Sequence, residues 1–263
     1  MTKQQMSYGS YLRIDDLLNL QQRQSDPPEH DETLFIIIHQ VYELWFKQLL
    51  HELDEVVEHL DGNHLPQGGH QLKRVNTIFD VLIKQIDVLE TMTPIEFLSF
   101  REFLANSSGF QSAQFRELEF LLGRKAAETV DFFSHNEHEH ARLSHRFEQP
   151  SLWDAVLRYL DRQGHSMPSE IINRNVTELL WDSEDVQEAL IGIYRNDPEH
   201  IPLLESLTDL DEAVQTWRFR HVMMVQRTIG TKPGTGGSEG AEYLKTTLFK
   251  PAFPDLWHIR ARL

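Results

Sequence analysis

The sequence predicts an all-α protein, a single helical domain built from long antiparallel helices. Three observations carry that expectation. Apolar residues recur every three or four positions over long stretches. Helix-start signals fall where those stretches begin. No alternating apolar–polar run of useful length and no internal repeat occur anywhere in the 263 residues.

Taken in order, Leu34, Ile38, Val41, Trp45, Leu49, Leu53, Val56 and Leu60 define a first long stripe, with Gly62 and Pro66 beyond its end. Leu72, Val75, Phe79, Leu82, Ile86 and Leu89 define a second. Thr93-Pro-Ile-Glu96 opens a third helix, because Thr93 caps it, Pro94 suits its first turn and Glu96 closes a capping box. This helix is expected to carry Phe97, Arg101, Leu104 and Ser108 on one side and to break at Ser107-Ser-Gly109. A fourth helix runs from near Ser112 to Gly123, followed by a less regular acidic stretch to about Phe147. Ser151 with Asp154, and then Ser183, start two more. The last long helix holds Leu203, Leu207, Leu210, Val214, Trp217, His221, Met224 and Thr228, and the five glycines between Gly230 and Gly240 stop it. A short helix around Ala241–Leu248 and an irregular tail containing Pro251 and Pro254 complete the chain.

Composition narrows the chemistry. With 41 acidic and 25 basic residues the formal net charge is −16, which disfavours nucleic acid and anionic membrane as partners. There is no cysteine, so thiolate nucleophiles, iron–sulfur clusters and thiolate-ligated haem are excluded. Neither a signal peptide nor an apolar run of membrane-spanning length is evident, which makes the cytoplasm the expected compartment.

Two histidines interrupt apolar stripes. His221 lies one turn after Trp217, and two readings stand open: a core histidine held by one hydrogen bond, or a neutral imidazole ligating haem iron. Arg218 and Arg220 beside it suit either propionate carboxylates or solvent. His39 lies four residues after Phe35 on the same face, either as a tolerated buried residue or as a hydrogen-bonding group kept neutral by desolvation. Arg101, on an apolar face, requires an anion, supplied by a helix-end glutamate or by a substrate carboxylate. The glycine-rich loop from Thr231 to Gly240 lacks a phosphate-loop pattern and reads as a linker or a lid, with Thr235 offering a hydroxyl. Glu137 and His140 supply one Glu-x-x-His pair, short of the two that a helical di-iron site needs, and read as a solvated patch.

The segments Tyr8-Gly-Ser-Tyr-Leu12, His30 to Gln40, Glu43-Leu-Trp-Phe-Lys47, Phe100-Arg101, Ser107 to Ser112, Trp217-Arg-Phe-Arg-His221 and Gly234-Thr-Gly-Gly-Ser238 together resemble bacterial tryptophan 2,3-dioxygenases, in order and separation, over nearly the whole chain. The resemblance implies an all-helical homotetramer that binds haem b, active as Fe2+. It implies insertion of both atoms of O2 across the indole 2,3 bond of L-tryptophan, giving N-formyl-L-kynurenine, the first step of the kynurenine pathway. Carried over by motif, His221 is the proximal iron ligand, and His39 is the distal histidine that bonds the indole N–H. Arg101 clamps the substrate carboxylate and Thr235 binds the amino-acid end. Phe35, Phe97, Leu104 and Ser108 line the pocket. Tyr8, Tyr11 and Leu12 belong to an N-terminal segment, about residues 1–25, that reaches into a neighbouring subunit. Phe97 stands where some members have tyrosine, which removes one possible phenol hydrogen bond. An indoleamine dioxygenase-like enzyme of broader specificity and a non-catalytic haem or oxygen sensor are the alternative expectations.

Overall fold

The computed structural model describes residues 6–235 and 241–263. Gly236, Gly237, Ser238 and Gly240 of the glycine-rich loop lie outside the described residues. Two short helices, α1 (Tyr8–Leu12) and α2 (Ile14–Leu18), open the chain and bury none of their side chains.

The first apolar stripe winds into α3 (Glu32–Asp61), 30 residues long. Its buried line runs through Ile38, Tyr42, Phe46, Leu49, Leu53, Val56 and Leu60. Val41 and Trp45 fall at the flank instead, because a 3.6-residue turn drifts away from strict four-residue spacing. The second helix, α4 (Leu65–Leu89), begins a full turn or more before the periodicity at Leu72. Pro66 sits in its first turn, where the missing N–H costs no hydrogen bond.

The third helix is shorter than its sequence pattern. Helix α5 (Pro94–Phe100) has the expected Thr93–Glu96 capping box but stops at Phe100. Arg101 is its C-cap, Leu104 closes a 3-10 turn and Ser108 lies in extended backbone. The chain leaves the helical region at Ala105, φ +49°, and the run Asn106-Ser-Ser-Gly109 keeps the helix from resuming, since its short polar side chains bond locally in competition with it. The Ser108 hydroxyl indeed accepts from the Phe110 N–H.

Ser112 caps α6 (Ala113–Leu121). Gly123 then turns the chain with φ +86°, and a Cβ there would stand 2.1 Å from Leu180 Cδ1. The acidic stretch resolves into α7 (Ala127–Phe132), a 3-10 turn and α8 (Glu137–Glu148). Next come α9 (Leu152–Arg162) and α10 (Ser169–Ile172). Helix α11 (Glu184–Asn196) leads into α12 (Ile201–Ile229), then α13 (Ala241–Lys245) and α14 (Pro254–His258). No strand occurs among the described residues.

Helices α3, α4 and α12 form the frame, with α4 packed against both of the others. A continuous apolar core runs between them, and a small satellite forms around Phe120, Phe133 and Leu143. The tail is ordered by buried Asp211 of α12, which accepts the N–H groups of Ala252 and Phe253, each at 3.0 Å, and Trp257 Nε1–H at 2.9 Å. Among the described residues no helix is long and apolar enough to cross a membrane.

Candidate functional site

Helix α3 presents His39 and helix α12 presents His221 to one cavity of about 270 Å³, and both border a second of about 130 Å³. Leu89, Phe97, Met224, Val225 and Ile229 line both cavities as well, so the two share an apolar wall. His39 keeps accessible surface because its ring faces these spaces. The surrounding protein still lowers its pKa, a burial effect only partly offset by its bond to Phe35 and the charge of Glu43. For His221, burial, the proximity of His39 and the Arg218 charge push the pKa down to about 4. Both imidazoles are therefore neutral near pH 7.

The tautomer of His39 follows from its partner. Its Nδ1 lies 2.7 Å from the Phe35 carbonyl oxygen, which can only accept, so Nδ1 carries the proton. Nε2 is left with its lone pair free to accept a hydrogen bond. The Phe35 and His39 rings lie 4.1 Å apart, fixing the imidazole plane. His221 stacks on Trp217 one turn earlier, with ring centroids 5.5 Å apart and planes 6° from parallel. Among the described residues it has no hydrogen-bond partner, so a lone pair on a neutral ring remains available there.

Arg101 also lines the larger cavity. No carboxylate pairs with it among the described residues. It donates from Nη2 to the Pro233 carbonyl at 2.5 Å, and its buried Nε–H has no partner. The helix-end glutamate admitted by the sequence is thus not paired with it, and an arginine that faces the cavity with no carboxylate of its own is left to bind an anion. Thr235 borders the same space and donates to the Ser107 carbonyl, which ties the glycine-rich segment to the turn after α5.

Ser108 and Phe97 line the larger cavity and Phe35 the smaller. Leu104 packs behind them against the core and borders neither. Tyr8, Tyr11 and Leu12 lie away from both cavities and are exposed. Of the two arginines beside His221, Arg218 lines the cavity, whereas Arg220 turns outward to Asp87 and Glu90. Sequence reading missed Arg116, whose spacing from Glu119 resembles a surface i,i+3 pair.

Arg116 and Arg218 converge on the single carboxylate of Glu119, and each keeps a buried Nε–H without a partner. Two guanidinium groups against one carboxylate leave positive charge on the side of the cavity lined by Arg116, Glu119 and Arg218. An available neutral imidazole, apolar walls and unpartnered guanidinium N–H groups form a donor set that fits haem, a flat apolar group with an iron centre and two carboxylates. The Glu137–His140 patch does not gather into a metal-binding group among the described residues.

A family model described as tryptophan 2,3-dioxygenase matches residues 1–171 and 135–263. The chain is 53% identical over 260 residues to the tryptophan 2,3-dioxygenase of Herpetosiphon aurantiacus, covering 99% of each chain. It is 51% identical to that of Anaeromyxobacter sp., covering 98% of this chain and 96% of the relative. It is 43% identical to that of Caulobacter vibrioides, with 99% of each covered. The chain belongs to the tryptophan 2,3-dioxygenase family.

Proposed function

We propose, with membership of this family as the premise, that the chain is a haem-dependent dioxygenase that inserts both atoms of O2 across the indole 2,3 bond of L-tryptophan to give N-formyl-L-kynurenine. His221 holds the iron of haem b, and Arg116 and Arg218 meet its carboxylates. When bound as Fe2+, the haem supplies the chemistry with dioxygen that the side chains lack.

The chain's own residues bind and orient the substrate. His39 accepts the indole N–H at Nε2, and its neutrality near pH 7 keeps that lone pair available. Phe35 and Phe97 flank the ring and exclude water from it. Arg101 pairs with the substrate carboxylate, with Thr235 and Ser108 at the same polar end, and Leu104 backs the aromatic wall. Arg101, facing the cavity with no anion of its own, is the observation that carries this reading. It favours an α-amino acid over a bare indole, and it gives a sensor no evident use for the clamp.

The active assembly is a homotetramer acting in the cytoplasm, in which the segment around Tyr8, Tyr11 and Leu12 packs on a neighbouring subunit. Support comes from the exposure of those side chains, 78% for Tyr8 and 70% for Tyr11. The test is product formation by the reduced, haem-loaded protein from L-tryptophan, D-tryptophan and tryptamine, with and without O2. Oxygen-dependent product from L-tryptophan is expected, with tryptamine poorer by about tenfold or more because it lacks the carboxylate. Equal turnover of all three would favour a broad indoleamine dioxygenase, and none from a ferrous, haem-loaded sample would favour a sensor.

A further inference from the structure

Far along the chain from the cavity-lining residues of α3, a second histidine pair converges on one carboxylate. Asp197 is the C-cap of α11 and His200 the N-cap of α12, so the corner between these helices presents both. His165 comes from the loop after α9, just past Gly164, whose φ of +96° turns the chain back toward that corner. His165 Nε2 lies 2.9 Å and His200 Nδ1 2.8 Å from the same oxygen, Asp197 Oδ2. The other oxygen, Oδ1, accepts the Glu199 N–H at 3.1 Å, which fixes the carboxylate plane.

We propose that His165, Asp197 and His200 form a site for a divalent transition-metal ion, Zn2+ by its donor set, that pins the loop after α9 to the α11–α12 corner. Three features of the structure support it. The donor atoms come from two backbone segments about thirty residues apart in the chain, yet all lie within 4.8 Å of one another, the only such group among the described residues. Two imidazoles and one carboxylate suit Zn2+ rather than Ca2+ or Mg2+, which take oxygen ligands. The nitrogen of His200 facing away from Asp197 lies 3.1 Å from the Tyr159 hydroxyl, and both residues are buried. Such a partner orients a metal-ligating imidazole.

Little movement is needed. Ligands about 2.1 Å from a tetrahedral Zn2+ stand about 3.4 Å apart, so the two nitrogen–oxygen edges open by about half an ångström while the nitrogen–nitrogen edge, within 4.8 Å, closes toward that spacing. Each imidazole keeps one proton and shifts it to its far nitrogen, which for His200 then donates to the Tyr159 oxygen. His165 retains 21% side-chain exposure, so the fourth position opens to water. Without the ion, the same three side chains form a closed hydrogen-bond network, and experiment separates the two.

The haem-loaded full chain, stripped of loosely held metal with EDTA, is dialysed against ZnCl2, and zinc per chain is read by mass spectrometry alongside the thermal midpoint. About one zinc per chain and a raised midpoint are expected. H165Q and D197N should each weaken zinc retention at least tenfold, while the exposed-patch variant H138Q/H140Q keeps it. Wild-type protein retaining no more zinc than H165Q would overturn the proposal and leave a hydrogen-bond network. Zinc retention by D197N at the wild-type level would overturn it equally, which covers the case in which H165Q does not fold. None of these readouts depends on tryptophan turnover.

Discussion

Single side chains decide the chemistry of the large cavity, and each makes a separate prediction. Arg101→Ala should weaken L-tryptophan binding by about tenfold to a hundredfold, the worth of charge-assisted hydrogen bonds, while haem content stays intact. Titration of both proteins with L-tryptophan checks it, and equal affinity would remove Arg101 from substrate binding. His221→Ala should lose haem retention, read as the haem-to-protein absorbance ratio after gel filtration. Native haem stoichiometry in that variant would place the iron ligand elsewhere. Both histidines were legible in the sequence because each breaks an apolar stripe, a costly place for a polar ring. Their convergence was legible through the family resemblance and not through periodicity, since α3 and α12 lie far apart in the chain and packing sets them on one cavity. The anion requirement of Arg101 was legible, but the absence of a local glutamate partner emerged only from the fold.

At the level of elements, caps were easier to read than lengths. The boxes at Thr93 and Ser151 formed as their spacing implied, because a hydroxyl and a carboxylate three residues apart satisfy two helix-end donors locally. The early end of α5 was harder, since its apolar pattern continues past Phe100 while the backbone tightens into a 3-10 turn and leaves the helical region at Ala105, φ +49°. Buried Asp154 does more than cap α9, because Arg174 also binds both its oxygens, at 2.6 and 2.9 Å. Burial opposes its ionisation, yet the bonds from Arg174 and Ser151 outweigh that and hold its pKa below the usual 3.8. A depressed carboxylate stabilises the fold above the unfolded pKa, and that stability is lost as pH falls through the lower folded value. Asp154→Asn should therefore cost about 3 kcal/mol or more at pH 7 and flatten the acid limb of stability below pH 3.8. Denaturant melts at pH 7 and pH 3 check it; the same loss at both would contradict it. Gly123→Ala should cost about 1–3 kcal/mol, since its positive φ and the approach of Leu180 both exclude a Cβ. A thermal midpoint equal to wild type would count against this.

On the scale of the whole molecule, the all-α architecture followed from periodicity, helix-start signals and the lack of alternating runs, whereas association leaves only exposed apolar side chains as its trace. Met6, Tyr8, Tyr11, Leu18 and Leu20 stand open to solvent at the start of the chain. In the proposed tetramer a neighbouring subunit covers part of this segment, which relieves the cost of apolar exposure. Replacing Tyr8 and Tyr11 together by serine should lower kcat/KM several-fold and weaken the tetramer in analytical ultracentrifugation. Unchanged mass and activity would assign the segment no role in assembly. The net charge of −16 acts over the same scale, making the surface a poor one for polyanions. The central claim, that one cavity brings tryptophan and both atoms of dioxygen together, is tested most directly with isotopic oxygen. Reduced, haem-loaded protein turning over L-tryptophan in 18O2 should give N-formylkynurenine carrying two heavy oxygen atoms. Product with one heavy atom and one from water, or no product at all, would contradict it.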